Sequence, residues 1–204
     1  FDFTYTNDLI TEVKYYEADI LLQTETYQYD TSGRITTFIL VDNIDTDWGN
    51  KETYTYNTNG TVSVNYYSGD ASSQTNLDRT GTITFLNGEI NQISFSDGKI
   101  ITYSYDNKNN PFKNVTGYDK INFCNQEGNG VLHNIIQEDD STDLDDISTT
   151  YTYNSNGTVS VNEYQGTIGS PTLDPSSPYT YTFTDGELTA DDDSIFVYED
   201  KNNP

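Results

Sequence analysis

The sequence is short of almost everything a metal site, a disulfide scaffold or a helical bundle is built from. Its 204 residues hold no methionine, one cysteine, one histidine, one tryptophan and five prolines. Lysine and arginine number 9 against 33 acids, a formal charge of -24. A single cysteine, Cys124, excludes an internal disulfide and is read as a small buried hydrophobe. A single histidine, His133, excludes a histidine-based zinc site and leaves a Ser-His-Asp triad without support, so it is assigned an ordinary loop or packing role. With so few cations the surface is anionic and repels both phosphate backbones and acidic headgroups, so neither nucleic acid nor bare membrane is an expected partner. No run approaches the ~20 apolar residues of a membrane-spanning helix.

What the chain does have is aromatic. The apolar share is 33%, and much of it comes from 18 Tyr and 9 Phe. Low hydropathy with high charge points toward disorder. Regular alternation of aromatic and β-branched residues with polar ones points instead to half-buried strands.

The alternation is clearest in a line written twice. Residues 54–69 read YTYNTNGTVSVNYYSG and residues 151–166 read YTYNSNGTVSVNEYQG. Tyr54 and Tyr56 fall on one face and Thr53 and Thr55 on the other, and Val62, Val64 and Tyr66 resume the apolar face beyond the turn. Asn57 is expected to accept a backbone hydrogen bond, and Gly60 to supply the left-handed residue of a type I turn with a G1 bulge. The grammar Tyr-x-Tyr-(Asp/Asn)-x-x-Gly-x-(Ile/Val) occurs at Tyr27–Ile35, Tyr54–Val62 and Tyr151–Val159. Shorter turns end at Gly88, Gly98 and Gly186.

A larger repeat encloses these hairpins: TITFLNGEI from Thr82 matches TYTFTDGEL from Thr180, and YSYDNKNNP from Tyr103 matches FVYEDKNNP from Phe196. The organisation expected is one all-β repeat domain over 1–204, with N-terminal hairpins in 1–52 and repeats near 53–111 and 150–204. Because the last motif stops where its first copy runs on, and because no initiator methionine is present, the sequence reads as a trimmed product. Alternating runs number on the order of 14, more than an open twisted sheet carries without curling. The fold expected is therefore an antiparallel hairpin meander curling into a strongly bent, porin-like or barrel-like form. Its Tyr/Val/Ile/Phe face lies inside, and the polar outer face does not suit lipid. Residues 112–147 and 166–178 read as loops, with VLHNII from Val131 as one helical turn or a short strand.

YQYDTSGRITTF from Tyr27 resembles the YD (RHS) repeat, and YSYDNKNNPFKNVTGYDKI from Tyr103 resembles predicted surface lipoproteins of Gram-negative bacteria related to those repeats. The resemblance covers nearly the whole chain and its motifs are structural. It implies an exported β-meander on the bacterial cell surface or outer membrane, held by an N-terminal lipidated cysteine upstream of Phe1. It brings no catalytic residues.

Candidate chemistry is sparse. The acidic loop holds Asp139, Asp140, Asp143, Asp145 and Asp146, and a second run covers Asp191–Asp193; clustered carboxylates of this kind could hold calcium, with Asp143, Asp145 and Asp146 the candidates. The stretch from Asp45 lacks EF-hand register, since Trp48 precedes Gly49 and Glu52 comes too early. Trp48, in a polar loop, is the candidate binding residue, as a stacking platform or as a cap on the open end of the sheet. No spacing selects a carboxylate pair for glycoside hydrolysis. The function expected is a non-catalytic binding or structural module for a protein or glycan partner, without a cofactor. The alternatives are a carbohydrate-active hydrolase using two carboxylates and a calcium-stabilised adhesion module.

Overall fold

A computed structural model describes residues 2–110, 113, 115–124, 132–140, 146–166, 172–174, 178–184 and 187–190. The alternating runs form strands β1 (Asp2–Thr6), β2 (Leu9–Glu17), β3 (Ile20–Tyr29), β4 (Ile35–Asp42), β5 (Gly49–Tyr56), β6 (Val62–Asp70), β7 (Ser73–Leu86), β8 (Glu89–Phe95) and β9 (Ile100–Asn109). A four-residue helix, α1 (Tyr118–Ile121), follows. The chain then returns to strands β10 (His133–Asp140), β11 (Ile147–Tyr153), β12 (Val159–Gln165), β13 (Thr172–Leu173), β14 (Tyr179–Thr184) and β15 (Glu187–Ala190).

The strands make one antiparallel sheet of 15, each hydrogen-bonded to its neighbour in sequence from β1 to β12 and on to β14 and β15, with β13 beside β12. The sheet does not close, and β1 and β15 end its path. This is the all-β meander read from the alternation. The reason is local: consecutive strands joined by tight turns pair with each other before anything distant.

The repeated line forms the hairpin its spacing dictates, with Tyr54 opposite Val64 and Tyr56 opposite Val62. Gly33, Gly60 and Gly157 take φ of 73°, 85° and 87°, the left-handed conformation each turn needs. The Asn57 carbonyl accepts the Gly60 N–H at 3.1 Å, and its side chain adds donors: Nδ2 reaches Thr61 Oγ1 and Ser63 Oγ, both at 2.9 Å, and Asn154 repeats this with Thr158 and Ser160. Asn59 Oδ1 takes the Thr61 N–H at 3.2 Å. In the Tyr27 copy Asp30, which has only acceptors, takes the N–H groups of Ser32 and Arg34 itself.

Because the meander alternates direction, all three copies of this turn lie on one rim. The opposite rim carries the connections after β2, β4, β6, β8 and β10. The stretch read as loop over 112–147 contains α1 and the whole of β10, whose start at His133 takes the strand alternative for VLHNII and whose remainder the alternation did not reveal. Strand β10 has two register irregularities against β9, so its side chains do not keep period two.

The core lies on one face. Ile10, Val13, Tyr27, Ile35, Phe38, Tyr54, Val62, Val64, Tyr66, Ile83, Ile90, Ile93, Phe95, Ile101 and Tyr103 are buried in a single cluster. Ile121, Phe123 and Cys124 belong to the same cluster. The segment 115–124 therefore enters from the turn rim and packs on the inner face. Phe123 meets Tyr54 edge-on with ring centroids 5.2 Å apart and Phe85 at 6.1 Å. Gly81 makes room for Val64 and Tyr66 on the same face, since a Cβ there would stand 3.1 Å from Val64 Cγ1 and 3.3 Å from Tyr66 Cε2.

Candidate functional site

Two glutamates sit where an alternating strand should present an apolar residue. Glu25 on β3 is 9% exposed and Glu52 on β5 is 2% exposed, both on the inner face. Burying a carboxyl costs several kcal/mol unless it is neutral or well bonded. Each finds the same partner. The hydroxyl of Tyr27 donates to Glu25, and that of Tyr54 donates to Glu52. In both cases the tyrosine lies two residues further along the strand, the next side chain on the same face.

Register places these groups in rows across the sheet. Tyr27 stands opposite Phe38, Phe38 opposite Glu52, Glu52 opposite Tyr66, and Tyr66 opposite Arg79. Glu25 stands one row away, opposite Leu40. Arg79 ends the row, with its guanidinium 3.9 Å from the centre of the Phe95 ring and 3.7 Å from Asp97. The covering segment closes the arrangement from above, where Phe123 meets Tyr54 edge-on and Cys124 lies near Tyr54 and Glu52.

The electrostatics follow from burial. Desolvation pushes the Glu25 carboxyl above its ordinary pKa, against the lowering effect of hydrogen bonds from Tyr27 and Tyr15. Burial, with Glu25 and Cys124 beside it, raises the Tyr27 phenol, and burial with Cys124 and Glu52 beside it raises Tyr54. The Cys124 thiol is raised by burial and by the charge of Glu52. The cluster thus holds protons tightly. It keeps phenols and a thiol neutral, the opposite of what a nucleophile requires.

The residues singled out in the sequence lie elsewhere. Trp48 is 39% exposed in the β4–β5 connection, where its backbone N–H donates to the Asp45 carbonyl at 3.2 Å. Asp146 lies on the same rim after β10, six strands away along the sheet, and its Oδ1 accepts the Asp140 N–H at 3.1 Å. Asp143, Asp145 and Asp191–Asp193 lie outside the described residues. Asp139 and Asp140, expected in a loop, are paired in β10 with Thr102 and Ile101, and Asp140 forms an ion pair with Lys99. Among the described residues no three His, Cys, Asp or Glu side chains converge as a metal site would require. His133 has a structural role: Glu89 Oε1 accepts the backbone N–H groups of Leu132 and His133, both at 2.9 Å, and lies 3.2 Å from His133 Nδ1. This carboxylate fixes the point where the chain leaves the inner face and rejoins the sheet.

The glutamates escaped the reading of the hairpin grammar because that grammar began at the first tyrosine. Two residues earlier both covered copies read Glu-Thr-Tyr, at Glu25 and Glu52, and the third reads Thr-Thr-Tyr from Thr149.

No protein-family model matches the chain, and no curated protein matches its sequence. Among solved structures, it is similar to a porin-like protein from Bacteroides uniformis ATCC 8492, with 13% identity over 87% of each chain and a TM-score of 0.41.

Proposed function

We propose that this chain is an exported, surface-tethered bacterial module of β-hairpin repeats that binds or scaffolds and carries out no catalysis. The observation that carries the reading is the filled inner face, where Tyr27, Phe38, Tyr54, Ile83 and Ile93 pack together with Phe123 and Cys124. A partner then meets the rims or the polar outer face, and loops on rims are where recognition commonly resides. Trp48 offers one exposed ring for a glycan or peptide on the rim opposite the repeated turns. The net charge of -24 favours a neutral or cationic partner and disfavours nucleic acid. Placement at the cell surface or outer membrane, through a lipid anchor outside this segment, rests on the resemblance to the YD-repeat lipoproteins.

The test is to offer the purified chain a panel of bacterial and host glycans and to assay retention and release of reducing sugar together. Retention without release, weakened by Trp48→Ala, supports the reading. Release of reducing ends that is lost in Glu25→Gln or Glu52→Gln overturns it in favour of a hydrolase. A melting temperature that rises with calcium but not with magnesium, at fixed ionic strength, would favour the adhesion module instead.

A further inference from the structure

Carboxyl groups buried under a covering segment are proton-dependent contacts. The cover is the segment 115–124. It is folded on itself through Tyr118 N–H to Val115, Lys120 N–H to Gly117 and Cys124 N–H to Ile121. It meets the sheet through Phe123 on Tyr54 and Phe85, through Cys124 near Tyr54, and through Gly117, where a Cβ would stand 2.9 Å from the Asp8 carbonyl oxygen. Tyr54 is shared, since its hydroxyl group donates to Glu52. The carboxyl, the phenol and the Phe123 ring are in contact in turn, linking β5 to the cover.

We propose that Glu25 and Glu52 act as a proton-dependent latch for the segment 115–124. With both carboxyls protonated its Phe123–Cys124 end stays seated on the inner face, and their ionisation at rising pH lifts that end away.

The reason is solvation. An ionised carboxylate on an apolar face regains water only if whatever covers it moves, and two such charges beneath one cover repel each other as well. The groups facing Glu25 are Tyr15 from β2, Tyr27 from its own strand, Leu40 from β4 and Cys124 from the cover. Among the described residues, those facing Glu52 include Tyr54, Phe38, Tyr66 and Cys124, with the cationic Arg79 one strand beyond Tyr66 and held against Phe95 and Asp97.

The third hairpin is an internal comparison. It carries Thr149 where the other two carry Glu25 and Glu52, and its Tyr151 hydroxyl donates to the Ile135 carbonyl at 3.1 Å. The tyrosines of the first two copies, Tyr27, Tyr29, Tyr54 and Tyr56, all feel the nearby Cys124, whereas Tyr151 feels Tyr181, Asp106, Glu163 and Tyr153. Acid sits where the cover sits.

The lone cysteine lies under the moving end, so its accessibility reports the latch. The intact chain is reacted with 4,4′-dithiodipyridine from about pH 5 to about pH 8 at fixed ionic strength, and each rate is divided into that of the urea-unfolded chain at the same pH, which removes the ionisation of the exposed thiol, the form that reacts, from the comparison. The protection ratio is expected to fall about tenfold or more across that range in the wild type, in the direction in which burial shifts the Glu25 carboxyl. It is expected to stay flat in Glu25→Gln/Glu52→Gln. Should the double variant not fold, Glu25→Gln alone is expected to keep part of the protection. A ratio independent of pH in the wild type overturns the latch, as does the full wild-type fall in the glutamine variants. A flat profile in the charge-matched surface variant Asp19→Asn/Asp47→Asn would assign the effect to net charge and also overturn it. Circular dichroism of the sheet is expected to hold constant, and its loss in step with thiol exposure would mean global unfolding rather than a latch.

Discussion

The hydroxyl of Tyr29 on β3 donates to the backbone carbonyl of Ile10 on β2 at 2.6 Å. The same device recurs where Tyr105 on β9 donates to Ile90 on β8 at 2.8 Å. Both isoleucines adjoin a register irregularity with the preceding strand, where a buried carbonyl would lose part of its ladder. Tyrosine is therefore more than a large apolar group here. Replacing Tyr29 or Tyr105 with phenylalanine is expected to cost about 1 to 2 kcal/mol by chemical denaturation, since the ring is kept and a buried acceptor is orphaned. Tyr16→Phe, at an exposed position, is expected to change nothing measurable.

Gly81 is where the inner face allows least. Its Cβ would meet Val64, Tyr66 and Phe95 at 3.1 to 3.4 Å, and all three are buried. Gly81→Ala is expected to destabilise by about 1 to 3 kcal/mol through overpacking. An unchanged denaturation midpoint would mean that the face is looser than described.

The opposite sign is expected at Ala18. It takes φ of 46° in the turn between β2 and β3, beside Asp19 at 67°. An L-residue pays about 1 kcal/mol or more in that region and glycine does not. Ala18→Gly is expected to raise stability by about that amount in a thermal melt, although glycine lowers it at most positions.

Glu25 sets a pH dependence whose sign is unambiguous. Its carboxyl has a higher pKa folded than unfolded, because burial outweighs the hydrogen bonds from Tyr27 and Tyr15. The folded state then binds the proton more tightly. The stability this confers is full below the ordinary carboxylate range and is lost as pH rises through the raised value. Glu25→Gln is expected to flatten the fall in stability between mildly acidic and neutral pH, measured by urea denaturation at fixed ionic strength. A steeper fall in the variant would reverse the sign.

The meander was legible because two signals agree along most of the chain. Period-two alternation in Tyr54–Tyr66 sets which residues face inward, and a glycine after each Asp or Asn turn sets where the chain reverses. The cover was not legible. A four-residue helix is too short to show a period, and Ile121, Phe123 and Cys124 gain their burial from strands far away in sequence. Strand β10 was legible only as the short-strand alternative at VLHNII, since its acids face β9 across irregular register. The buried glutamates were hidden most thoroughly, because a charged residue in an alternating strand reads as surface. Only its recurrence two residues before the tyrosine in both covered copies marks it.

The central claim is that the segment 115–124 fills the inner face, and its most direct test is a double-mutant cycle between Phe123 on the segment and Phe85 on β7. Neither ring carries a hydrogen-bonding group, and their centroids lie 6.1 Å apart in an edge-on contact. The expected coupling between Phe123→Ala and Phe85→Ala is about 0.5 to 1.5 kcal/mol in urea denaturation. Strictly additive single effects would mean that the segment does not sit on the sheet, and the inner face would then be open to a ligand.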